Sequence, residues 1–175
     1  MPRPAKSSRF DEVVLPYMDA AYNLARWLMR NDDEAADAVQ DAFVRALRFI
    51  GGFRGGDARV WLLAIVRNTC YSRLQRGKAR ALESEFDDEL HSPEPEAANP
   101  ELLFERSRDQ AALQKALEGL PEEFRETIVL RELQGMTYKE IADVVGVPIG
   151  TVMSRLARAR KYLQQALTVA EPKES

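Results

Sequence analysis

The residues of this chain that could do chemistry are hydroxyl and basic side chains spaced along one segment near its C-terminus. At about 100° per residue, Val152, Leu156 and Ala159 fall on one side of a helix and would pack inward. Arginine can bind a guanine edge through two hydrogen bonds, whereas lysine and hydroxyl groups mostly hold phosphates. The face predicts a helix that reads DNA, and an ordinary amphipathic helix with a solvated basic face is the alternative. The residues predicted to contact DNA lie opposite and beside the apolar side; they are Thr151, Met153, Ser154, Arg155, Arg158 and Lys161.

The segment before this helix is typical of a helix-turn-helix. Thr137 and Glu140 have the T-x-x-E spacing of a capping box, in which each side chain accepts a hydrogen bond from the other residue's backbone N–H. They predict a short helix over 138–145. Gly146 supplies a tight turn, and Pro148 begins a second helix that extends from 149 to about 167. A helix, a glycine turn and a helix at this spacing are the helix-turn-helix layout.

The N-terminal half of the chain also predicts helices. Residues 11–29 and 32–50 look helical, and in the second of these Val39, Phe43 and Leu47 share an apolar stripe. The sequence GGFRGG at 51–56 ends that helix, because glycine loses more backbone entropy in a helix than other residues do. Asp57 can then cap a third helix from 58 to about 76. No segment alternates apolar and polar residues long enough for a strand, so the fold class is all-α.

Composition divides the chain into two small helical domains joined by a flexible acidic linker. Of the 175 residues, 45% are hydrophobic and 30% are charged, which is enough for one moderate core or two small ones. The net charge of -3 hides an uneven distribution: residues 58–82 contain six basic residues and no acid, whereas residues 82–101 contain eight acids and no basic residue. We predict a flexible N-terminus (1–9), a first domain (10–81), a proline-containing linker (82–100), a second domain (101–170) and a flexible tail (171–175).

The composition also argues against several classes of function. Cys70 is the only cysteine and His91 the only histidine, so the chain has no internal disulfide and no Cys/His set for zinc. Neither residue has a local acid-base partner, and we therefore expect no enzyme, no catalytic residue, no metal and no cofactor. The N-terminus lacks an apolar signal core, and the longest apolar run, 60–66, is far below the roughly 20 residues that span a bilayer. We expect a cytoplasmic protein without stable membrane insertion.

Four motifs together carry a family resemblance. They are DEAADAVQDAFVRAL at 33–47, WLLAIVRN at 61–68, LPEEFRETIVLREL at 120–133 and SRLARARKYL at 154–163. In this order they resemble the extracytoplasmic-function (ECF) group of bacterial RNA polymerase sigma factors, in the sigma-70 family. The resemblance covers about residues 10–80 and 102–167, and it implies a sigma-70 region 2-like first domain and a region 4-like second domain.

The resemblance implies a role for each domain. The first domain would bind the β′ clamp helices of core polymerase and open the -10 element, while the second would read the -35 element as duplex. The positions implied for polymerase binding are Asp37, Gln40, Asp41 and Arg45. The loop at 51–57 would capture a base flipped out of the non-template strand, although a simple connection with Phe53 tucked into the core is an alternative. The positions implied for -10 binding and melting are Phe53, Arg54, Arg67, Asn68, Ser72, Arg73 and Arg76.

The same resemblance implies partners. These are core RNA polymerase, through its β′ clamp helices and β flap, promoter DNA, and an anti-sigma factor that holds the protein inactive. Two other interpretations remain open on the residues alone. A stand-alone helix-turn-helix regulator would bind its DNA site tightly without polymerase, and an interaction protein that mimics a sigma factor would titrate a regulator without acting at promoters.

Overall fold

The computed structural model of the chain describes residues 6–84 and 108–170, with side chains for 8–83 and 109–168. No strand occurs in these residues, which confirms the all-α prediction for this part of the chain. The acidic linker from residue 85 to residue 100 and the C-terminal tail, both predicted to be flexible, lie outside the described residues. The helices are α1 (Lys6–Val14), α2 (Met18–Met29), α3 (Asp32–Phe49), α4 (Ala58–Ser84), α5 (Arg108–Glu118), α6 (Glu122–Ile128), α7 (Tyr138–Val145) and α8 (Ile149–Ala170).

The first domain is built from α2, α3 and α4 packed around a common core. Leucines from α2 and α4, including Leu24, Leu28, Leu62 and Leu63, are almost completely buried. Burying one leucine side chain contributes about 1.5–3 kcal/mol to folding. The face of α3 that meets them is small, which lets the three helices approach closely; its fully buried residues are Ala35, Ala38, Ala42 and Ala46.

Local residues end α2 and begin α3 at the turn between the two helices. Arg30 adopts the left-handed conformation, with φ of 60°, where α2 ends. The side chain of Asn31 then caps α3 by accepting a hydrogen bond from the backbone N–H of Glu34, at 3.0 Å. Three acids occupy the first turn of α3, where the positive end of the helix dipole stabilises them.

The first helix differs from its prediction. Residues 11–29 were expected to be continuous, but a 3-10 turn at Leu15–Tyr17 separates α1 from α2. Pro16 lies in that turn, and proline both lacks a backbone N–H and clashes with the preceding helical turn. In addition, α1 begins at Lys6, inside the N-terminal stretch that was predicted to be flexible.

Helix α4 is longer than the sequence pattern indicated. Asp57 does cap it, since its carboxylate accepts a hydrogen bond from the N–H of Val60 at 3.2 Å. The helix continues to Ser84, past the expected end near residue 76 and into the first residues of the predicted linker. Gly77 does not end it, because the basic residues, alanines and leucine around it all favour helix.

The second domain contains the predicted helix-turn-helix. Both hydrogen bonds of the capping box are present: the N–H of Glu140 donates to the Thr137 hydroxyl at 3.1 Å, and the N–H of Thr137 donates to the Glu140 carboxylate at 3.0 Å. Gly146 has φ of 77°, a conformation that glycine adopts without strain, and it turns the chain from α7 into α8. A π-helical turn at Val129–Leu133 extends α6. Met136, Ile141 and other apolar side chains form the core beneath.

The two domains pack against each other, with α4 beside α7. One guanidinium nitrogen of Arg59 donates to the backbone carbonyl of Gln134 at 2.9 Å. The side-chain amide of Gln134 donates in turn to the carbonyl of Ala20 at 3.4 Å. These contacts hold the end of the π-helical turn against the first domain.

We predict that Thr137→Ala lowers the free energy of unfolding by about 1 kcal/mol, because the first turn of α7 loses its cap. Urea unfolding followed by circular dichroism measures the change. Thr168→Ala, an exposed position in the last turns of α8, is the matched control and should change stability much less. Equal effects of the two substitutions would contradict the role given to the capping box.

Candidate nucleic-acid interface

Helix α8 has one face in the core and one in solvent. Val152, Leu156 and Ala159 are buried, as the spacing predicts. Arg158 and Lys161 are exposed and make no ion pair within the described residues. Ser154 is exposed too, and its hydroxyl donates to the carbonyl of Thr151 at 3.0 Å. The outward face therefore presents two cations and a hydroxyl group.

The two other arginines of α8 have acidic partners. The side chain of Arg155 is only 19% exposed, and one of its nitrogens lies 3.8 Å from the Glu123 carboxylate of α6. Arg160 is half exposed and lies 3.3 Å from the carboxylate of Glu132. Arg155, which belongs to the predicted DNA-reading set, thus contacts α6 within its own domain instead of facing solvent with Arg158.

The loop after α3 combines an aromatic pair with a solvent-exposed cation. The rings of Phe53 and Trp61 are in contact, with centroids 5.1 Å apart. Phe53 is half-buried, and its backbone carbonyl accepts a hydrogen bond from the guanidinium of Arg9. Arg54 is exposed. The following Gly55 and Gly56 have positive φ, of 93° and 98°, so the loop needs glycine at both positions.

An open cavity of about 700 Å³ lies beside this loop. The first domain lines it with the loop and with the start of α4, including Phe53, Arg54 and Asn68. The second domain contributes side chains from α7 that cover the same space. These are Lys139, Glu140 and Asp143. The cavity is therefore bounded by both domains.

Arg67, another predicted -10 residue, is held by the second domain. Its guanidinium makes two hydrogen bonds to the carboxylate of Glu126, at 3.0 and 3.3 Å. The Glu126 side chain is fully buried and that of Arg67 is 19% exposed. The guanidinium also stacks over the ring of Tyr71, 3.9 Å from the ring centroid. In this arrangement Arg67 is not free to contact DNA.

The other predicted -10 residues on α4 have different surroundings. Asn68 and Arg76 are exposed, and the half-buried Ser72 donates its hydroxyl hydrogen to the carbonyl of Asn68 at 3.0 Å. Arg73 instead forms an ion pair with Asp41 of α3 at 2.5 Å and approaches Asp37. The structure thus brings Asn68 and the loop together at the cavity, and it directs Arg73 toward the residues predicted to bind polymerase.

The predicted polymerase-binding positions divide between the solvent side of α3 and its edge beside α4. Asp37 and Gln40 are exposed, whereas Asp41 and Arg45 are half-buried, and Arg45 donates to the Thr69 hydroxyl at 3.4 Å. Sequence reasoning assigned Leu47 to the buried stripe, but it is 42% exposed. Four alanines and Val39 fill the narrow contact with α2 and α4, and Leu47 lies outside it. The exposed apolar residues missed by the sequence reasoning are Val44, Leu47 and Phe49.

Burial and hydrogen bonding shift several pKa values around the interdomain contact. Burial raises the pKa of Glu126, and the hydrogen bonds from Arg67 oppose this rise. The backbone N–H of Thr137 lowers the pKa of Glu140 to about 2, with help from Arg59, whose guanidinium lies 3.2 Å from the same carboxylate. Glu140 is therefore ionised at neutral pH. It serves both the helix cap and the contact with the first domain.

Other kinds of site find no support in the described residues. Cys70 is completely buried, and burial raises the pKa of its thiol to about 12, so the reactive thiolate is scarce at neutral pH. In the described ranges no group of histidine, cysteine and acidic side chains could hold a metal ion. Nor does any helix in these ranges have the length and apolar character needed to cross a membrane.

Two family profiles match the chain, one in each domain. Sigma-70 region 2 matches residues 13–80, and sigma-70 region 4 matches residues 110–163. Among characterised proteins, the chain is 35% identical to the RNA polymerase sigma-H factor of Pseudomonas aeruginosa, over 90% of this chain and 86% of that protein. It is also 35% identical to the ECF RNA polymerase sigma-E factor of Escherichia coli, over 88% of this chain and 84% of that protein.

A third relative is longer than this chain. The ECF RNA polymerase sigma factor SigE of Mycolicibacterium smegmatis is 36% identical over 158 residues, which is 90% of this chain and 61% of that protein. The chain thus spans about three fifths of that relative's length.

Solved structures agree with these relatives. The sigma factor RpoE of Bartonella quintana, crystallised with the anti-sigma factor NepR, superposes with a TM-score of 0.74 at 31% identity, over 93% of this chain and 98% of that chain. CnrH, solved in complex with the cytosolic domain of CnrY, gives a TM-score of 0.65 at 25% identity, over 93% and 89% of the two chains. The chain belongs to the ECF group of RNA polymerase sigma factors.

Proposed function

We propose that this chain binds core RNA polymerase and directs it to promoters by reading a -35 duplex and opening a -10 element. The observation that carries the proposal is the pair of DNA-facing features built on separate domains. One is the acid-free outward face of α8, with Arg158 and Lys161. The other is the glycine-rich loop with Phe53 and Arg54, which lies beside the exposed Asn68. Two separate contacts suit a protein that must hold a duplex and a single strand at once.

The two features divide the work. The helix-turn-helix anchors α8 in the major groove, where arginine reads base edges and lysine holds phosphates. The first domain traps an unpaired base against the loop. Unstacking one base costs a few kcal/mol, and contacts with an aromatic ring and an arginine offset that cost. Neither domain needs a catalytic group for this, so we propose that the chain is not an enzyme and that the chemistry belongs to polymerase.

For the polymerase contact we propose the solvent side of α3. Asp37 and Gln40 are exposed there, and Val44 and Leu47 follow on the next turns. A surface with central apolar side chains and polar neighbours is typical of protein interfaces. The β′ clamp helices would cover this side of α3, while the β flap would contact the second domain.

In the described arrangement the second domain covers part of the surface that we propose for the -10 strand, namely Arg67 and the loop at 51–57. Glu126 of the second domain holds Arg67, and Lys139, Glu140 and Asp143 bound the cavity next to the loop. We propose that this is a closed form and that polymerase binding separates the domains. The related RpoE of Bartonella quintana was crystallised with an anti-sigma factor. By analogy, we propose an anti-sigma partner for this chain that binds the closed form, in the cytoplasm where the promoters are.

The direct test is transcription in vitro by bacterial core polymerase on a genomic promoter library, with and without this chain. We expect discrete new start sites that share two spaced elements. Arg158→Ala should lower initiation about tenfold, the loss of one specific base contact, and Lys115→Ala, an exposed cation on α5, should not. Stable binding to core without initiation would favour a sigma mimic. Failure to bind core would favour a stand-alone regulator.

A second prediction concerns the closed form. Glu126→Gln removes the negative charge that holds Arg67, so the free chain should bind single-stranded -10 DNA at least fivefold more tightly, the effect of about 1 kcal/mol or more of lost interaction. Fluorescence anisotropy measures this binding, and thermal unfolding checks that the variant is folded. Glu123→Gln on the same helix is the matched control and should leave -10 binding nearly unchanged. The difference should vanish with core polymerase bound; its absence in the free chain would contradict the closed form.

A further inference from the structure

The N-terminal part of the α8 outward face carries no charge. Ile149 is 45% exposed and Met153 is 53% exposed, although both side chains are apolar and large. Gly150, Ser154 and Ala157 are exposed between and beside them. The first charged residue on this face is Arg158, since Arg155 is turned toward Glu123. The first two turns of α8 therefore expose two large apolar side chains and several small residues. This is the end of the helix that would enter the major groove.

Ile149 and Met153 form one surface. They are four residues apart, so their side chains lie next to each other on successive turns of the helix. Single exposed apolar side chains are common, whereas adjacent ones form the contiguous surface that marks an interaction site. Side chains near the N-terminus of a recognition helix are the ones that reach base edges in the major groove.

Gly150 adds an independent observation. A Cβ at this position would meet no atom within 4 Å, and its φ is not in the left-handed region. Neither packing nor backbone conformation therefore requires glycine at this position in the first turn of α8. A missing side chain at the tip of α8 leaves room for DNA to approach the helix backbone and the flanking Met153.

The chemistry of the major groove selects the base. Adenine, guanine and cytosine present only hydrogen-bond donors and acceptors there, whereas thymine also presents its 5-methyl group. An apolar side chain gains binding free energy by contact with that methyl group, and it gains none that is specific to the other three base edges. We propose that Met153, supported by Ile149, determines specificity by contacting thymine methyl groups in the -35 element. This inference rests on the proposed function of α8 as the -35 reader.

The test uses polymerase holoenzyme formed with this chain and a promoter found in the transcription experiment. Each thymine of the -35 element is replaced by uracil, which pairs identically but lacks the methyl group. We expect one or two of these replacements to weaken promoter binding about fourfold each, the effect of one buried methyl group. Met153→Ala should weaken binding to the thymine promoter by a similar factor and abolish the difference between thymine and uracil.

Lys161→Ala is the matched control. It should weaken binding to thymine and uracil promoters alike and keep their ratio, because it removes a phosphate contact only. Thermal unfolding checks both variants, and Met153 is exposed enough that its truncation should leave the fold intact. The inference is overturned if no uracil replacement changes binding, if the -35 element contains no thymine, or if the ratio persists in Met153→Ala. In each case initiation from the promoter would still support the proposed function, which fails separately if no promoter is found.

Discussion

The contact between the two domains includes one fully buried carboxylate, and the proposed release of Arg67 depends on it. Glu126 of α6 is fully buried and accepts two hydrogen bonds from Arg67 of α4, whose guanidinium also stacks on Tyr71. The positive charge of Arg155 on α8 also stabilises the ionised form of Glu126. Glu126 of α6 therefore links two other helices. They are α4, which is proposed to hold the -10 strand, and α8, which is proposed to read the -35 duplex. In the opening that we propose, release of Arg67 and access to the loop would occur together.

The energetics of such a contact suit a switchable arrangement. A buried ion pair gains Coulomb energy but loses the hydration of both charges, and the two effects nearly cancel. Separating the domains returns Glu126 and Arg67 to water together, so it leaves no unpaired buried charge. Removing only one of the two side chains costs more free energy, because it leaves the other charge buried without a partner. The ion pair thus specifies the geometry of the contact while adding little net stability, which suits the separation of the domains proposed on polymerase binding.

The sequence predicted the parts of the fold that local signals determine. The capping box of Thr137 and Glu140 and the turn at Gly146 give the helix-turn-helix, because their partners lie within a few residues. Pro16 interrupts a helix whose apolar period continues through it, so periodicity alone missed the break. The exposure of Leu47 depends on how closely α2 and α4 pack against α3, and the spacing of apolar residues along one helix does not give that distance. The contact of Arg67 with Glu126 joins residues 59 apart, and nothing in the local sequence indicates it.

We propose that polymerase opens a closed chain, and an interdomain distance tests this proposal most directly. Spin labels on cysteines introduced at Asn23 of α2 and Gln165 of α8, both exposed, report that distance by pulsed electron paramagnetic resonance. Cys70 is buried and should remain unlabelled. We predict a narrow distance distribution in the free chain and a clearly longer mean distance after core polymerase binds. An unchanged distance in the holoenzyme, or a broad distribution already in the free chain, would contradict the account.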